Sequence, residues 1–199
     1  MSETIMERLR NETKTAHQQL EKATIPYIKK STNEEQYAFL LKMFYGYFKP
    51  VEEQIQTLVS NDLLSDIDER RQSAAILADL KTIGAATNDL TVSDFVPNLG
   101  NVPQAIGALY VLEGSTLGGR FISQMLMKQL NRTAADGISF FSGYGEQTDA
   151  KWAAFTKMVN EYATRFPENN DQIVAAADET FANFGRWVAK CAETLAEPA

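Results

Sequence analysis

Apolar residues along this 199-residue chain recur at intervals of three and four, the spacing of one face of an α-helix. In the first segment the apolar stripe consists of Ile5, Leu9, Ala16 and Leu20. No stretch alternates apolar and polar residues as a half-buried strand does, and no repeat of fixed period is present. The stripes predict six helices, which cover about residues 2–23, 37–59, 66–83, 103–130, 149–166 and 170–196.

The second helix carries the signals of a defined start and of a disturbed middle. Ser31 and Thr32 stand three residues before Glu34 and Glu35, which is the spacing of a capping box. Pro50 is expected to kink or interrupt the helix, because proline has no amide proton to donate and its ring clashes with the preceding turn. The helix should then resume over residues 51–59.

Glycine and proline also mark the ends of the later helices. Gly84 stands where a left-handed C-terminal cap belongs, and Pro103 suits the first turn of a helix. Residues 87–101 and 131–147 are predicted loops. We therefore expect an all-α chain, with residues 1–199 forming a single domain.

Composition and charge are those of a soluble globular protein. The chain is 44% hydrophobic and 23% charged, which excludes collagen-like and disordered classes, and its net charge of −7 argues against a nucleic-acid binder. Cys191 is the single cysteine, which favours a reducing compartment. Residues 1–10 carry charges of both signs, unlike a signal peptide, and residues 95–112 are too polar for a membrane span. We expect a cytoplasmic protein with no membrane or nucleic-acid partner.

The first candidate for chemistry is His17, the only histidine of the chain. It shares a helix face with Arg10, Thr13 and Leu20. A histidine on the apolar side of a helix is usually a packed, hydrogen-bonded core residue. One histidine cannot form a conventional zinc site, which needs three or four protein ligands, but it can supply the single axial ligand that a haem iron needs.

The second candidate is the glycine-rich segment of the fourth helix. Gly114, Gly118 and Gly119 lie within six residues, and each costs a helix about 1 kcal/mol relative to alanine. Gly114 and Gly118 are four residues apart and therefore share a face on which the backbone is bare. One explanation is close packing of another helix or a kink. The other is a flat ligand that lies against the exposed backbone.

Two segments together resemble the haem oxygenase family. Leu9–Glu21 is similar to the proximal helix of that family, and Tyr110–Arg120, with its sequence YVLEGSTLGGR, is similar to the distal helix of the bacterial form found beside bacteriophytochromes. The two motifs occur in family order, about a hundred residues apart. The resemblance spans most of the chain and implies a single-domain, haem-oxygenase-like multi-helix bundle.

The resemblance implies a role for each matching residue. His17 would be the proximal iron ligand, and Gly114 and Gly118 would lie over the distal face of the haem. Many family members have an aspartate directly after the first distal glycine, and here that position is Ser115. The catalytic positions implied are Gly114, Ser115 and Gly118. The proton-delivery group is left open among Ser115, a helix carbonyl and ordered water.

Haem carries two propionates, so cations are expected at the mouth of its pocket. Arg10 lies about 10 Å along the helix from His17, a distance that suits a propionate at the haem edge. Lys157 and Lys151 are weaker candidate cations than Arg10, because most helix lysines are solvated. Phe181 and Phe184 could pack against a haem edge. The cofactor-binding residues expected are Arg10, Thr13, His17, Tyr110, Gly114, Gly118 and Lys157.

The implied activity is oxidative cleavage of haem to biliverdin, carbon monoxide and ferrous iron. Haem is then both substrate and cofactor, and O₂ and electrons are consumed. The electron donor would be a ferredoxin or a reductase, with ascorbate as a substitute in vitro, and the bilin could pass to a phytochrome. Regiospecificity of ring opening, oligomeric state and biological purpose stay open.

Three other interpretations share some of these features. A non-catalytic haem-binding or storage protein on the same fold would use the same histidine and glycines but form no biliverdin. A different enzyme on this helical architecture, such as a thiaminase-like or quinone-biosynthesis protein, would have no affinity for haem. A plain helical interaction module would leave the cost of the glycines unexplained.

Overall fold

The structure is a computed structural model that describes residues 3–70, 72–88, 90–133 and 136–196. These ranges contain α-helices, short 3-10 helices and loops but no strand, which confirms the all-α prediction. The α-helices are α1 (Ile5–Glu12), α2 (Lys14–Lys30), α3 (Glu34–Leu58), α4 (Ala74–Thr82), α5 (Val102–Leu130), α6 (Ser139–Ser142), α7 (Thr148–Arg165) and α8 (Asn170–Ala196). Three-residue 3-10 helices occupy Ile67–Glu69, Gly145–Gln147 and Pro167–Asn169.

The long helices α5 and α8 form the centre of the fold. They pack along each other, while α2 packs on α8 and α3 packs on α5. The two central backbones approach closely at Gly107. A Cβ at this position would lie 2.2 Å from the carbonyl oxygen of Ile173 and 2.9 Å from the amide nitrogen of Ala177. Glycine is therefore required for the observed spacing of α5 and α8.

The bounds of α5 match the predicted helix over residues 103–130 and have clear local causes. The side chain of Asn101 accepts a hydrogen bond from the amide of Gln104 at 3.1 Å, which caps the start of the helix. Pro103 lies in the first turn, as expected. At the other end Asn131 adopts a left-handed conformation with φ of 51°, which ends the helix.

The predicted first helix, residues 2–23, is wrong as a single element. Ser2 lies outside the described residues, and the rest is divided between α1 and α2 at Thr13. The hydroxyl of Thr13 donates to the carbonyl oxygen of Leu9 at 2.7 Å, the back-bonding that bends helices at threonine. The second of the two helices continues to Lys30, well beyond the predicted end.

The start of α3 was assigned to the wrong polar residues. Neither Ser31 nor Thr32 is the N-cap, because Asn33 takes that position and accepts from the amide of Gln36 at 2.9 Å. The Thr32 amide and hydroxyl both donate to the side-chain oxygen of Gln36, at 3.0 Å each. Ser31, Thr32 and Asn33 are all residue types that can cap a helix. The spacing to Glu34 and Glu35 predicted the first two as the cap, whereas the structure uses the third.

The predicted third helix, residues 66–83, contains an irregular half. Its first part is the 3-10 helix Ile67–Glu69, followed by Arg70 in an extended conformation, and α4 covers the second part. The side chain of Arg70 is buried and donates to acceptors on three parts of the chain, which are described below. Gly84 has a φ of +73°, so the left-handed cap predicted there is confirmed.

Two smaller expectations also differ from the structure. Pro50 does not interrupt α3, which is continuous from Glu34 to Leu58. The predicted loop over residues 131–147 contains the one-turn helix α6 and the 3-10 helix Gly145–Gln147. The helices predicted over residues 149–166 and 170–196 agree with α7 and α8 to within one residue.

The described helices were also assessed for membrane insertion. None of them is both long and apolar enough to cross a bilayer.

A buried carboxylate should contribute strongly to stability, because it connects α4 to α6. Asp79 is 2% exposed and accepts hydrogen bonds from the Ser139 amide, the Ser139 hydroxyl and the Phe140 amide, at 2.9, 2.7 and 2.8 Å. We expect Asp79→Ala to lower the free energy of unfolding by about 2–4 kcal/mol, measured by urea denaturation. The control is Asp94→Ala, which removes an exposed ion pair with Lys190 and should change stability little. Equal losses of stability in Asp79→Ala and Asp94→Ala would contradict the stabilising role of Asp79 between α4 and α6.

Candidate functional site

A cavity of about 620 Å³ lies between α2 and α5. Both helices pack against α8, which closes one side of the cavity through Phe181 and Phe184. Beyond the two main walls, the lining includes side chains of α1, α3, α6 and α7. Its volume falls in the range of pockets for small molecules and cofactors.

His17 lines the α2 side of this cavity. Its side chain is 51% exposed, so the packed core environment that is usual for a histidine on an apolar helix face does not apply here. The imidazole ring lies 5.1 Å from the Phe181 ring, centroid to centroid. A carboxylate oxygen of Glu21 lies 3.5 Å from Nε2. A carboxylate beside the ring can hold one nitrogen protonated and leave the other as an electron-pair donor.

Gly114 and Gly118 line the α5 side of the same cavity. A Cβ built at Gly118 would meet no atom within 4 Å, and one at Gly114 would make an ordinary contact with Trp152 at 3.7 Å. At Gly119 a Cβ would lie 2.4 Å from the carbonyl oxygen of Phe141. Close packing, the first explanation of the glycine-rich segment, therefore holds for Gly119, and the space that the second explanation requires is present at Gly118. Gly119 allows close packing against α6, whereas Gly118 leaves bare backbone towards the cavity.

Ser115 follows the first of these glycines and also lines the cavity. Its hydroxyl donates to the carbonyl oxygen of Leu112 at 2.7 Å, one turn back along α5. The hydroxyl proton is thereby directed along the helix.

One end of the cavity is lined by basic residues from α1 and α2. Arg10 and Lys14 both line it and are exposed. Among the described residues, no carboxylate lies within 4.0 Å of either cation. Tyr110 lies near enough to Arg10 to feel its positive charge. Burial raises the pKa of the Tyr110 phenol, and the charge of Arg10 partly opposes that rise. This end of the cavity can accept anionic groups.

The lysines of α7 do not reach the cavity. Lys157 is 76% exposed and its ammonium lies 3.8 Å from a carboxylate oxygen of Glu161. Lys151 is held by Asp66 at 2.8 Å and Glu69 at 3.3 Å. Of the predicted cations, the structure thus brings Arg10 to the cavity together with Thr13 and the residues described above, but not Lys157 or Lys151.

A metal cluster and a reactive thiol are the two other kinds of site to consider among the described residues. No group of three or more His, Cys, Asp or Glu side chains is arranged to hold a metal ion. Cys191 is buried in α8, and burial raises the pKa of its thiol to about 11. The thiol is therefore protonated at neutral pH, in agreement with the absence of any sequence signal for a nucleophile.

Sequence reasoning missed several lining residues. Lys14 was overlooked because a helix lysine is usually solvated, although it stands one turn before His17. Trp152 lies 5.8 Å from Tyr110, ring to ring, and faces Gly114. The inner wall is aromatic, and beside the Phe184 that the sequence indicated it is formed by the unpredicted residues Phe44, Tyr47, Phe48, Phe140 and Phe141. Nothing in the spacing of these aromatic residues distinguishes a cavity wall from an ordinary core.

Comparison with protein families and relatives gives a consistent result. A family model described as "Heme oxygenase" matches residues 3–190. The chain is 29% identical over 148 residues to a protein named "Heme oxygenase" from Xanthomonas campestris pv. campestris (strain 8004). That alignment covers 74% of this chain and 86% of the relative.

Two solved structures share the fold. Superposition on a heme oxygenase from Neisseria meningitidis, solved with NO and CO bound, gives a TM-score of 0.78 at 23% identity and covers 96% of this chain and 92% of that one. Superposition on heme oxygenase from Leptospira interrogans gives a TM-score of 0.74 at 20% identity. It covers 94% of this chain and all of that one.

The two adjacent glycines of α5 should respond differently to alanine. Gly118→Ala adds a methyl group to open space and replaces a poor helix former, so we expect the free energy of unfolding to rise by about 0.5–1 kcal/mol. Gly119→Ala forces its methyl group against the Phe141 carbonyl and should lower the free energy of unfolding by about 1–3 kcal/mol. Both are measured by urea denaturation of the protein without ligand. A loss at Gly118 as large as that at Gly119 would show that Gly118 also serves packing.

Proposed function

The chain belongs to the haem oxygenase family, and we propose that its haem binds in the cavity between α2 and α5, with His17 as the iron ligand. As a haem oxygenase it is an enzyme that uses O₂ and electrons to convert haem to biliverdin, carbon monoxide and ferrous iron. The family match over residues 3–190 supports a single haem-oxygenase-like domain along the chain.

The observation that supports this assignment most strongly is the juxtaposition of His17 and Gly118 on one cavity. One wall offers a lone imidazole, and the other offers backbone with no side chain in front of it. An axial nitrogen ligand and a flat, bare surface are what a metalloporphyrin requires. The residues present therefore fit haem.

His17 would bind the iron through one ring nitrogen while Glu21 orients the ring. The carboxylate at 3.5 Å is close enough to hold the imidazole after a small adjustment of the side chains. Phe181 packs beside the ring and limits its rotation. These contacts would hold the orientation of the imidazole at the wall of the cavity.

Gly114, Ser115 and Gly118 would form the catalytic wall. When bound, haem supplies the iron that activates oxygen and the ring that is opened. The bare backbone at Gly118 leaves room above the ring that any side chain would occupy. Ser115 lines this wall, and its hydroxyl donates to the Leu112 carbonyl within the helix. The aromatic inner wall excludes bulk water from this space.

Arg10 and Lys14 would bind the two propionates. Both cations line the cavity without a carboxylate partner among the described residues. Tyr110 lies beside Arg10 and can donate its phenol proton to a carboxylate. With Thr13 at the same end, these residues would seat the haem with its polar edge towards α1.

Partners and location complete the proposal. Electrons would come from a ferredoxin or a reductase in the cell, or from ascorbate in vitro, because ring opening consumes them. Transfer of the bilin to a phytochrome is supported by the resemblance of Tyr110–Arg120 to the form found beside bacteriophytochromes. A cytoplasmic location is supported by the single cysteine.

Removal of the imidazole tests the iron ligand. We expect His17→Ala to lose the histidine-ligated absorbance spectrum of ferric haem, to bind haem about tenfold more weakly or worse, and to form no biliverdin with ascorbate in air. Gln19→Ala, an exposed α2 position that does not line the cavity, is the matched control and should behave like the unmodified protein. Normal haem binding and turnover by His17→Ala would rule out this ligand.

Neutralisation of the cations tests the seating of the propionates. Arg10→Gln and Lys14→Gln should each weaken haem binding about two- to fivefold, because each removes one exposed ion pair with a propionate. Raising the salt concentration should reduce the difference in haem affinity between each variant and the unmodified protein, because salt screens exposed charges. Lys157→Gln removes an equally exposed cation outside the cavity and should have no effect. An effect of Lys157→Gln equal to that of the other two would point to net charge rather than to a binding site.

A further inference from the structure

Arg70 is a buried arginine that the proposed reaction does not use. Its side chain is 3% exposed, and its guanidinium donates to groups on three separate parts of the chain. Nη1 donates to a carboxylate oxygen of Glu113 at 2.5 Å, and Nε and Nη2 donate to Asp66 at 3.0 Å. Nη2 also donates to the backbone carbonyl oxygen of Lys151 at 3.2 Å.

Two of these acceptors stand directly before residues of the cavity wall. Glu113 precedes Gly114 in α5, and Lys151 precedes Trp152 in α7. Gly114 and Trp152 face each other, with the indole 3.7 Å from the position that a Cβ of Gly114 would take. One guanidinium therefore connects the two turns that form this part of the wall.

The partners of Arg70 are themselves held in place. Glu113 is 3% exposed and accepts a second hydrogen bond from the Tyr144 hydroxyl at 2.9 Å. The ammonium of Lys151 donates to Asp66 at 2.8 Å. The network thus joins the segment before α4, the middle of α5 and the first turns of α7 behind the cavity.

We propose that Arg70 is a positioning residue that fixes the separation of Gly114 and Trp152 and so sets the shape of the cavity at this end. The planar guanidinium donates in fixed directions, so it holds two backbones in a defined geometry, which a lysine ammonium cannot do. The consequence for haem rests on the proposed function, whereas the effect on Trp152 does not.

A structural role and a positioning role can be separated by replacing Arg70 and Glu113 together, which leaves Asp66 paired with Lys151. Removing one partner leaves a buried charge and destabilises a protein, but replacing both by apolar residues of similar size is often neutral or stabilising. The double variant Arg70→Met/Glu113→Leu should therefore keep the melting temperature close to that of the unmodified protein. It nevertheless removes the donor to the Lys151 carbonyl and the connection between α5 and α7.

The first measurement uses the protein without haem. The chain has two tryptophans, so 5-fluorotryptophan labelling gives two ¹⁹F resonances, which Trp152→Phe assigns. Trp187 is buried and donates to the Met43 carbonyl, and it serves as an internal control. We expect the double variant to shift or broaden the Trp152 resonance and to leave the Trp187 resonance in place. Arg70→Lys should shift the Trp152 resonance in the same direction by a smaller amount.

The second measurement uses ferric haem, titrated by absorbance, followed by turnover with ascorbate in air. We expect the double variant to form biliverdin about tenfold more slowly than the unmodified protein or worse, because a wall displaced by about 1 Å misaligns the bound ring. The ferric absorbance spectrum should change as well. Ile76→Ala changes a fully buried α4 position outside the cavity and is the control for lost stability. It should alter neither the Trp152 ¹⁹F resonance nor the ferric haem absorbance spectrum.

The outcomes separate the two claims. An unchanged Trp152 resonance in the double variant overturns the proposal, and so does a changed resonance with normal haem spectrum and turnover. If the double variant keeps the melting temperature, the Trp152 resonance and the turnover of the unmodified protein, the network is only structural. If the unmodified protein binds no haem, the proposed function fails, and the ¹⁹F measurement still decides whether Arg70 positions Trp152.

Discussion

The close contact of the α5 backbone with its neighbours is the constraint on which the rest of the structure depends. Gly107 lets α5 touch the backbone of α8, and Gly119 lets it touch the backbone of α6. These contacts fix the rotation of α5 about its axis. Gly114 and Gly118 lie seven and eleven residues beyond Gly107, close to two and three whole turns, so they share its face of the helix. Further along that face their backbone lines the cavity shared with α2.

The second wall depends on α8 as well. Both α2 and α5 pack on it, so the width of the gap between them follows from the side chains that α8 presents. Phe181 contacts the ring of His17, and Phe184 stacks on Tyr47 with ring centroids 4.4 Å apart. Phe181 and Phe184 thus both line the cavity, one beside the histidine and the other at the aromatic inner wall. Fold stability and site geometry therefore share one set of contacts.

Local signals were sufficient to predict α5, the helix that carries the glycines of the site. The bounds of α5 follow from a proline at its start and from polar caps at both ends, and all of these are local in sequence. The site residues His17 and Gly118 were predicted from residue type and resemblance, and the structure places both on one cavity. The break between α1 and α2 at Thr13 was missed because a threonine is not by itself a helix-breaking signal, and Thr24 makes the same bond to the carbonyl oxygen four residues back inside the continuous α2.

Long-range contacts account for what the sequence could not predict. Gly118 and Gly119 are adjacent and chemically identical, and only the position of the Phe141 carbonyl separates their roles. Likewise Lys14 and Lys157 both look like solvated helix lysines, yet one lines the cavity and the other does not. Arg70 was not singled out, because two of its three partners are 43 and 81 residues away in the chain and Asp66, four residues before it, looks like an ordinary local ion pair.

The most direct measurement is an absorbance titration of the unmodified protein with ferric haem, followed by ascorbate in air. We predict binding of about one haem per chain with a histidine-ligated spectrum, which then gives way to the absorption of biliverdin. A protein that binds no haem, or whose bound haem survives reduction in air, would contradict the central claim that this cavity holds haem for ring opening.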